Sequence, residues 1–127
     1  MTEQEIFDKV AKHLLTQKEK SSDLKGDCYY RYESRLSCAA GCLLTDAEAK
    51  IADDSTINVI GTWREVISTS PSQRMIIEFG GLEKTDLITR LQLVHDNHEP
   101  SSWKRVLENL AIEKGLSRDA LKEFQDA

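Results

Sequence analysis

Cys28, Cys38, Cys42, His95 and His98 are the residues of this chain best suited to chemistry. Thiolate with imidazole is a donor set that zinc prefers, and a zinc site here would draw on Cys28, Cys38, Cys42 and His95. The spacing speaks against it. Structural zinc sites present two close pairs of ligands, whereas nine residues separate Cys28 from Cys38, and only the Cys38/Cys42 interval is of the usual kind. The same residues, cysteine before histidine, could supply a nucleophile and its base, with Cys38 or Cys42 attacking, His95 taking the proton and Asp96 or another acid orienting the ring. Both thiols, however, lie in a stretch rich in Ala and Leu, and burial in apolar surroundings raises a thiol's pKa and makes it inert. The simpler reading is three cysteines packed as small hydrophobes and two histidines solvated at a helix end, with no metal, no cofactor and no catalytic residue.

Tyr29-Tyr30-Arg31-Tyr32 with Arg35 is the other run with chemical potential. Rings and guanidinium groups on a sheet face stack bases and pair with phosphate, so Tyr29, Arg31 and Arg35 are candidate binding residues, with His95 as a fourth. In the alternative, Tyr30 and Tyr32 point into the core and Tyr29 and Arg31 to water. No Gly-rich phosphate loop follows a strand, and 17 Lys and Arg against 22 Asp and Glu give a net charge of -5, the wrong sign for a general polyanion binder.

The elements that must position these groups are mostly helical. Thr2 and Glu5 form a capping box, and Ile6, Phe7, Val10, Ala11, Leu14 and Leu15 follow at helical spacing, which predicts a helix over about 3–20. After the Gly26-Asp27 turn signal the period shortens toward two, and residues 28–32 with 35–38 predict a short β-hairpin. Ala39 to Leu44 is small and then apolar, and should be buried. Thr45 and Glu48 repeat the capping box and predict a short helix ending near Asp53-Asp54. A third helical element carries Val59, Ile60, Trp63, Val66 and Ile67, while Met75 to Phe79 is ambiguous between strand and helical turn. Leu82, Leu87, Ile88, Leu91 and Val94 predict a helix over about 83–96, and Trp103, Val106, Leu107, Leu110 and Ala111 another, capped by Ser101 or Ser102 and ended by a left-handed Gly115. Leu116-Ser117 with Leu121 then predicts a short terminal helix to Phe124. Trp63 and Trp103 are read as core residues.

Cys28-Tyr29-Tyr30-Arg31, then Leu36 to Asp46 with its Cys-Ala-Ala-Gly-Cys-Leu-Leu-Thr-Asp run, then Leu91 to Asp96 and the helix from Trp103 to Leu116 follow in an order that resembles small proteins, of no assigned activity, from tailed bacteriophages and prophage-carrying bacteria. The resemblance implies a setting: a phage or mobile-element accessory protein acting in the bacterial cytoplasm by binding a host factor. It transfers no catalytic residue.

The 127 residues fit one domain, and the longest apolar run is six residues, far short of the roughly 20 that cross a bilayer. Met1 to Val10 is acidic and amphipathic and does not read as a secretory leader, which together with an odd number of cysteines gives a cytoplasmic expectation. The sequence thus predicts an α+β domain, mainly helical, with a short hairpin packed against about five or six helices. Its expected function is a non-catalytic interaction protein that modulates a host protein, such as a defence factor, or that self-associates; the alternative is a small nucleotide or nucleic-acid binding module using the Tyr29–Arg35 hairpin.

Overall fold

The computed structural model describes residues 1–22, 31–32, 36–55 and 77–124, and these are mainly helical. Helix α1 (Glu3–Gln17) begins as its sequence requires: Thr2 Oγ1 accepts the Glu5 N–H at 3.1 Å and Glu5 Oε1 accepts the Thr2 N–H at 2.9 Å. Two of the four amides that a helix start leaves unpaired are thereby satisfied. Ile6, Phe7, Val10, Ala11, Leu14 and Leu15 are all buried, as their spacing predicts. The helix stops three residues earlier than expected because Lys18 adopts a left-handed conformation (φ 58°) and returns its N–H to the Leu14 carbonyl. That turn sends residues 19–22 across the end of the bundle.

Arg31–Tyr32 (β1) pairs antiparallel with Leu36–Ser37 (β2), Arg31 opposite Ser37 and Tyr32 opposite Leu36. The expected β component reduces to these two-residue strands; residues 28–30 and 33–35 of the predicted hairpin lie outside the described residues. Gln17, in the last turn of α1, closes the edge of β2: its Oε1 accepts the Ser37 N–H and its Nε2 donates to the Ser37 carbonyl, both at 2.9 Å. A side-chain amide here does what a further strand would do, and so blunts an open edge. Residues 38–44 are buried except for the half-buried Cys42, with a 3₁₀ turn at Gly41–Leu43. The second capping box then opens α2 (Asp46–Ser55), with Thr45 N–H on Glu48 Oε1 at 2.9 Å and Glu48 N–H on Thr45 Oγ1 at 3.2 Å. The helical element predicted from Val59 to Ile67, with Trp63, lies outside the described residues.

Residues 77–79 are helical, which decides that part of the ambiguous Met75–Phe79 segment, and Gly81 (φ 103°, ψ 154°) leads into α3 (Leu82–Asn97). Pro100–Ser102 forms a 3₁₀ turn that folds α4 (Trp103–Lys114) back along α3. Ser102 stands at the N-cap of α4 but makes no side-chain capping bond, so the proline turn, rather than a serine cap, starts this helix. Gly115 ends it in the left-handed conformation predicted for it, at φ 69°. The predicted terminal helix is only a 3₁₀ turn, Asp119–Leu121, because Ser117 Oγ accepts the Asp119 N–H two residues on and closes a local turn in place of a helical cap.

Helices α1, α3 and α4 pack on one another and on the 38–44 segment around Phe7, Leu14, Leu87, Leu91, Trp103 and Leu107. Leu82 does not join the stripe in which the sequence places it and is 76% exposed. Five residues at about 100° each put it roughly 140° from Leu87, off the buried face. Outside the core, Lys114 bonds Asp86 and Arg90 grips Glu113 through two hydrogen bonds, clamping α3 to α4. Among the described residues no helix is long and apolar enough to cross a membrane.

Two outcomes follow from this geometry. A Cβ at Gly81 or Gly115 meets no atom within 4 Å, so each alanine variant reports backbone strain alone. Gly115→Ala should cost about 1 kcal/mol, and Gly81→Ala about 1–3 kcal/mol, because the Gly81 dihedrals fall where essentially only glycine is found; urea unfolding of the two variants checks the order. The Lys114 and Arg90 hydrogen bonds hold the Asp86 and Glu113 carboxyls below their usual range. Their contribution is present above the ordinary carboxylate pKa and is lost as pH falls through the lowered folded values. Thermal midpoints of wild type and an Asp86→Asn, Glu113→Gln double variant should differ near neutrality and converge in acid, the gap staying small because both pairs face water.

Candidate functional site

Gln92, His95 and Asp96 stand three and four residues apart on the last turns of α3, so one face of the helix carries all three side chains inward. His95 is fully buried. Its Nε2 accepts the backbone N–H of Ser21 at 2.9 Å, and its Nδ1 lies 2.7 Å from Asp96 Oδ1. A backbone N–H can only donate, which leaves Nε2 as the unprotonated nitrogen and puts the ring hydrogen on Nδ1, where the carboxylate accepts it. Gln92 Nε2 donates to the same Asp96 oxygen at 2.8 Å, and Gln92 Oε1 accepts the Ala40 N–H at 2.9 Å. Lys20 Nζ donates to the Asp96 carbonyl at 3.3 Å and Ser21 Oγ to the Leu36 carbonyl at 3.4 Å. The ring itself stacks on Trp103, with centroids 5.6 Å apart and planes 26° from parallel; the indole N–H is fixed by the His98 carbonyl at 3.0 Å.

The Asp96–His95 pair has the form of a base held by an orienting carboxylate. The weighed cysteine–histidine mechanism would need Nε2 to face a sulfur, and it faces the Ser21 amide instead. That amide has no proton to give up in catalysis, so the pair acts as a clasp between the chain leaving α1 and the end of α3. The expectation that His95 lies solvated at a helix end is corrected: α3 runs to Asn97, and the Pro100 turn brings Trp103 over the ring. His98 is exposed, as expected. In this arrangement neither nitrogen of His95 is presented to a ligand.

Cys38 is buried and Cys42 half-buried. Cys38 Sγ accepts the Gly41 N–H at 3.2 Å, as a serine hydroxyl would, and the Cys42 thiol donates to the Ala39 carbonyl at 3.1 Å. Both sulfurs are thus bonded to the turn that contains them. Cys28, the third member of the weighed zinc set, lies outside the described residues; among those described, no three His, Cys, Asp or Glu side chains come together as a metal cluster. Of the candidate binding residues, Tyr29 and Arg35 lie outside the described residues, and Arg31 is placed on β1 opposite Ser37.

The described surface holds a groove of about 820 Å³ beside the first half of α3 and the end of α4, lined by Glu3, Leu82, Glu83, Thr85, Asp86, Thr89, Glu113 and Lys114. A second cleft, of about 570 Å³, lies against α1 at Lys9, Lys12, His13 and Gln17. The sequence reading missed both, along with the roles of Gln17, Ser21 and Gln92. Only Gln92 left a trace there, as a polar residue on an otherwise apolar helical face that also carries His95.

Compared with family models, curated proteins and solved structures, the chain matches none.

Replacing His95 by phenylalanine keeps the ring and its stack on Trp103 but leaves the Ser21 N–H buried without an acceptor and Asp96 without one of its donors. His95→Phe should lose about 2–4 kcal/mol of stability in denaturant unfolding. In native-state hydrogen exchange the Ser21 amide should lose protection by more than the global loss explains.

Proposed function

We propose that this protein is a small non-catalytic interaction protein that works by occupying the surface of another protein. One observation carries the reading: His95 and Asp96, the pair best suited to chemistry, are spent on a buried hydrogen bond to Ser21 and part-buried ones to each other and to Gln92. What the described surface offers instead is groove area and exposed apolar side chains, Ile77, Leu82, Leu93 and Ile112. Exposed apolar area beside polar walls is the usual material of a protein interface. The resemblance of the Cys38–Asp46 segment to phage and prophage proteins supports a setting in a bacterial host, with a host regulatory or defence protein as the partner, in the cytoplasm. The predicted packing of a longer hairpin on the helices belongs to the same proposal.

Affinity capture from a bacterial lysate, followed by binding of the purified candidate to the purified chain, tests the reading. A single partner that binds directly and saturably, and equally well when Cys38 and Cys42 are both serine, is the expected result. Direct binding of a nucleotide or oligonucleotide, lost in Tyr29→Ala and Arg31→Ala variants that keep their fold, would replace this reading with a nucleic-acid or nucleotide module.

A further inference from the structure

The groove between α3 and the end of α4 is suited to a ligand in three respects. Its walls carry Glu3, Glu83, Asp86 and Glu113 against a single cation, Lys114. Lys114 is bonded to Asp86, and Glu113 to Arg90, so those charges are largely compensated. Glu3 and Glu83 have no ion-pair partner among the described residues. As first-turn acids they favour the dipoles of α1 and α3, a use that leaves their charge available to a cation in the groove. The second respect is Leu82, three-quarters exposed on the groove wall where helical periodicity turns it away from the core.

The third is Thr85. It is only 9% exposed and lines the groove, and its hydroxyl makes no hydrogen bond among the described residues. Thr89, one turn on, shows the contrast: its Oγ1 donates to the Thr85 carbonyl at 2.8 Å. Buried hydroxyls are nearly always paired, so an unpaired one on a residue lining the groove marks a place where a polar atom from outside can sit.

We propose that this groove receives a basic amphipathic segment of a partner protein, whose lysine or arginine side chains meet Glu3 and Glu83, whose apolar face rests on Leu82, and whose polar atom pairs with the Thr85 hydroxyl. The proposal rests on the interaction reading above and adds the surface and the chemistry of the partner. Charge complementarity selects the occupant: an acidic or neutral helix would gain the Leu82 contact but leave two carboxylates facing like charge or nothing.

The probe is a Lys/Leu amphipathic model helix, with a Glu/Leu helix of equal length as its control, titrated into the ¹⁵N-labelled full chain. Saturable shifts confined to the amides of residues 3, 82–89 and 113–114, weakened by salt and absent with the Glu/Leu helix, are expected. Glu83→Lys should lower affinity on the order of tenfold, as expected for losing one charge pair and gaining a repulsion. Leu82→Ser and Thr85→Val should weaken binding as well; Leu82 is exposed, so Leu82→Ser tests the groove even if a charge reversal at a helix start disturbs folding. Shifts spread over other acidic surface, or affinity unchanged in Glu83→Lys and Leu82→Ser, would overturn the assignment. So would concentration-dependent dimerisation abolished by the same variants, which would make a second copy the occupant. If a captured partner binds wild type and the groove variants equally, the groove assignment alone fails; if no protein partner binds at all, the interaction reading fails with it.

Discussion

The fold depends on one imidazole that is bonded on both sides and stacked on its face. The Ser21 N–H, the Asp96 carboxylate and the Trp103 ring all meet His95 in the interior. Each partner comes from a different part of the chain: the segment leaving α1, the end of α3, and the start of α4. Leaving the Ser21 N–H without its acceptor buries an unsatisfied group, which costs more than the bond itself contributes. Gln92 extends the constraint to the 38–44 segment through the Ala40 N–H, so four pieces of chain share one polar cluster inside an apolar core. Such a cluster is sensitive to register, because apolar contacts tolerate sliding and a donor facing an acceptor does not.

This constraint also explains the local geometry around it. Lys18 accepts a left-handed conformation because the chain must turn at once for Ser21 to reach Nε2. Gln17 and His13 then face the Ser37 carbonyl, and Gln17 serves as an edge partner for β2. The thiols complete the picture from the other side: each sulfur is bonded within the tight turn from Cys38 to Cys42, whose alanines and glycine let the backbone approach α1 closely while the Ala40 N–H reaches Gln92 of α3. Function is accordingly read from the surface rather than from this interior.

What could be read from the sequence was whatever is local. The Thr2/Glu5 and Thr45/Glu48 boxes, the stripe of α1, Gly115 as a left-handed stop and the burial of the 39–44 segment apart from the half-buried Cys42 each depend on residues within a few positions of one another. The His95 cluster was illegible for the opposite reason. Ser21 and His95 stand 74 residues apart, and the polar run His95-Asp96-Asn97-His98 has the composition of a solvated helix end. Nothing local says that a proline turn will lay a tryptophan over it. Leu82 was counted by type with the apolar residues that predict α3 when its angular position places it outside, and the last helix was expected from a staple pattern that a serine turn pre-empts. The groove was invisible because it is made by two helices whose relative placement only packing determines.

The most direct test of the clasp is the protonation pattern of the His95 ring, read from ¹⁵N–¹H correlation spectra of the imidazole near neutral pH. The structure requires hydrogen on Nδ1, a bare Nε2, and a scalar coupling across the hydrogen bond from the Ser21 amide to that nitrogen. A ring protonated at Nε2, or a Ser21 amide that exchanges freely while the protein remains folded, would contradict it.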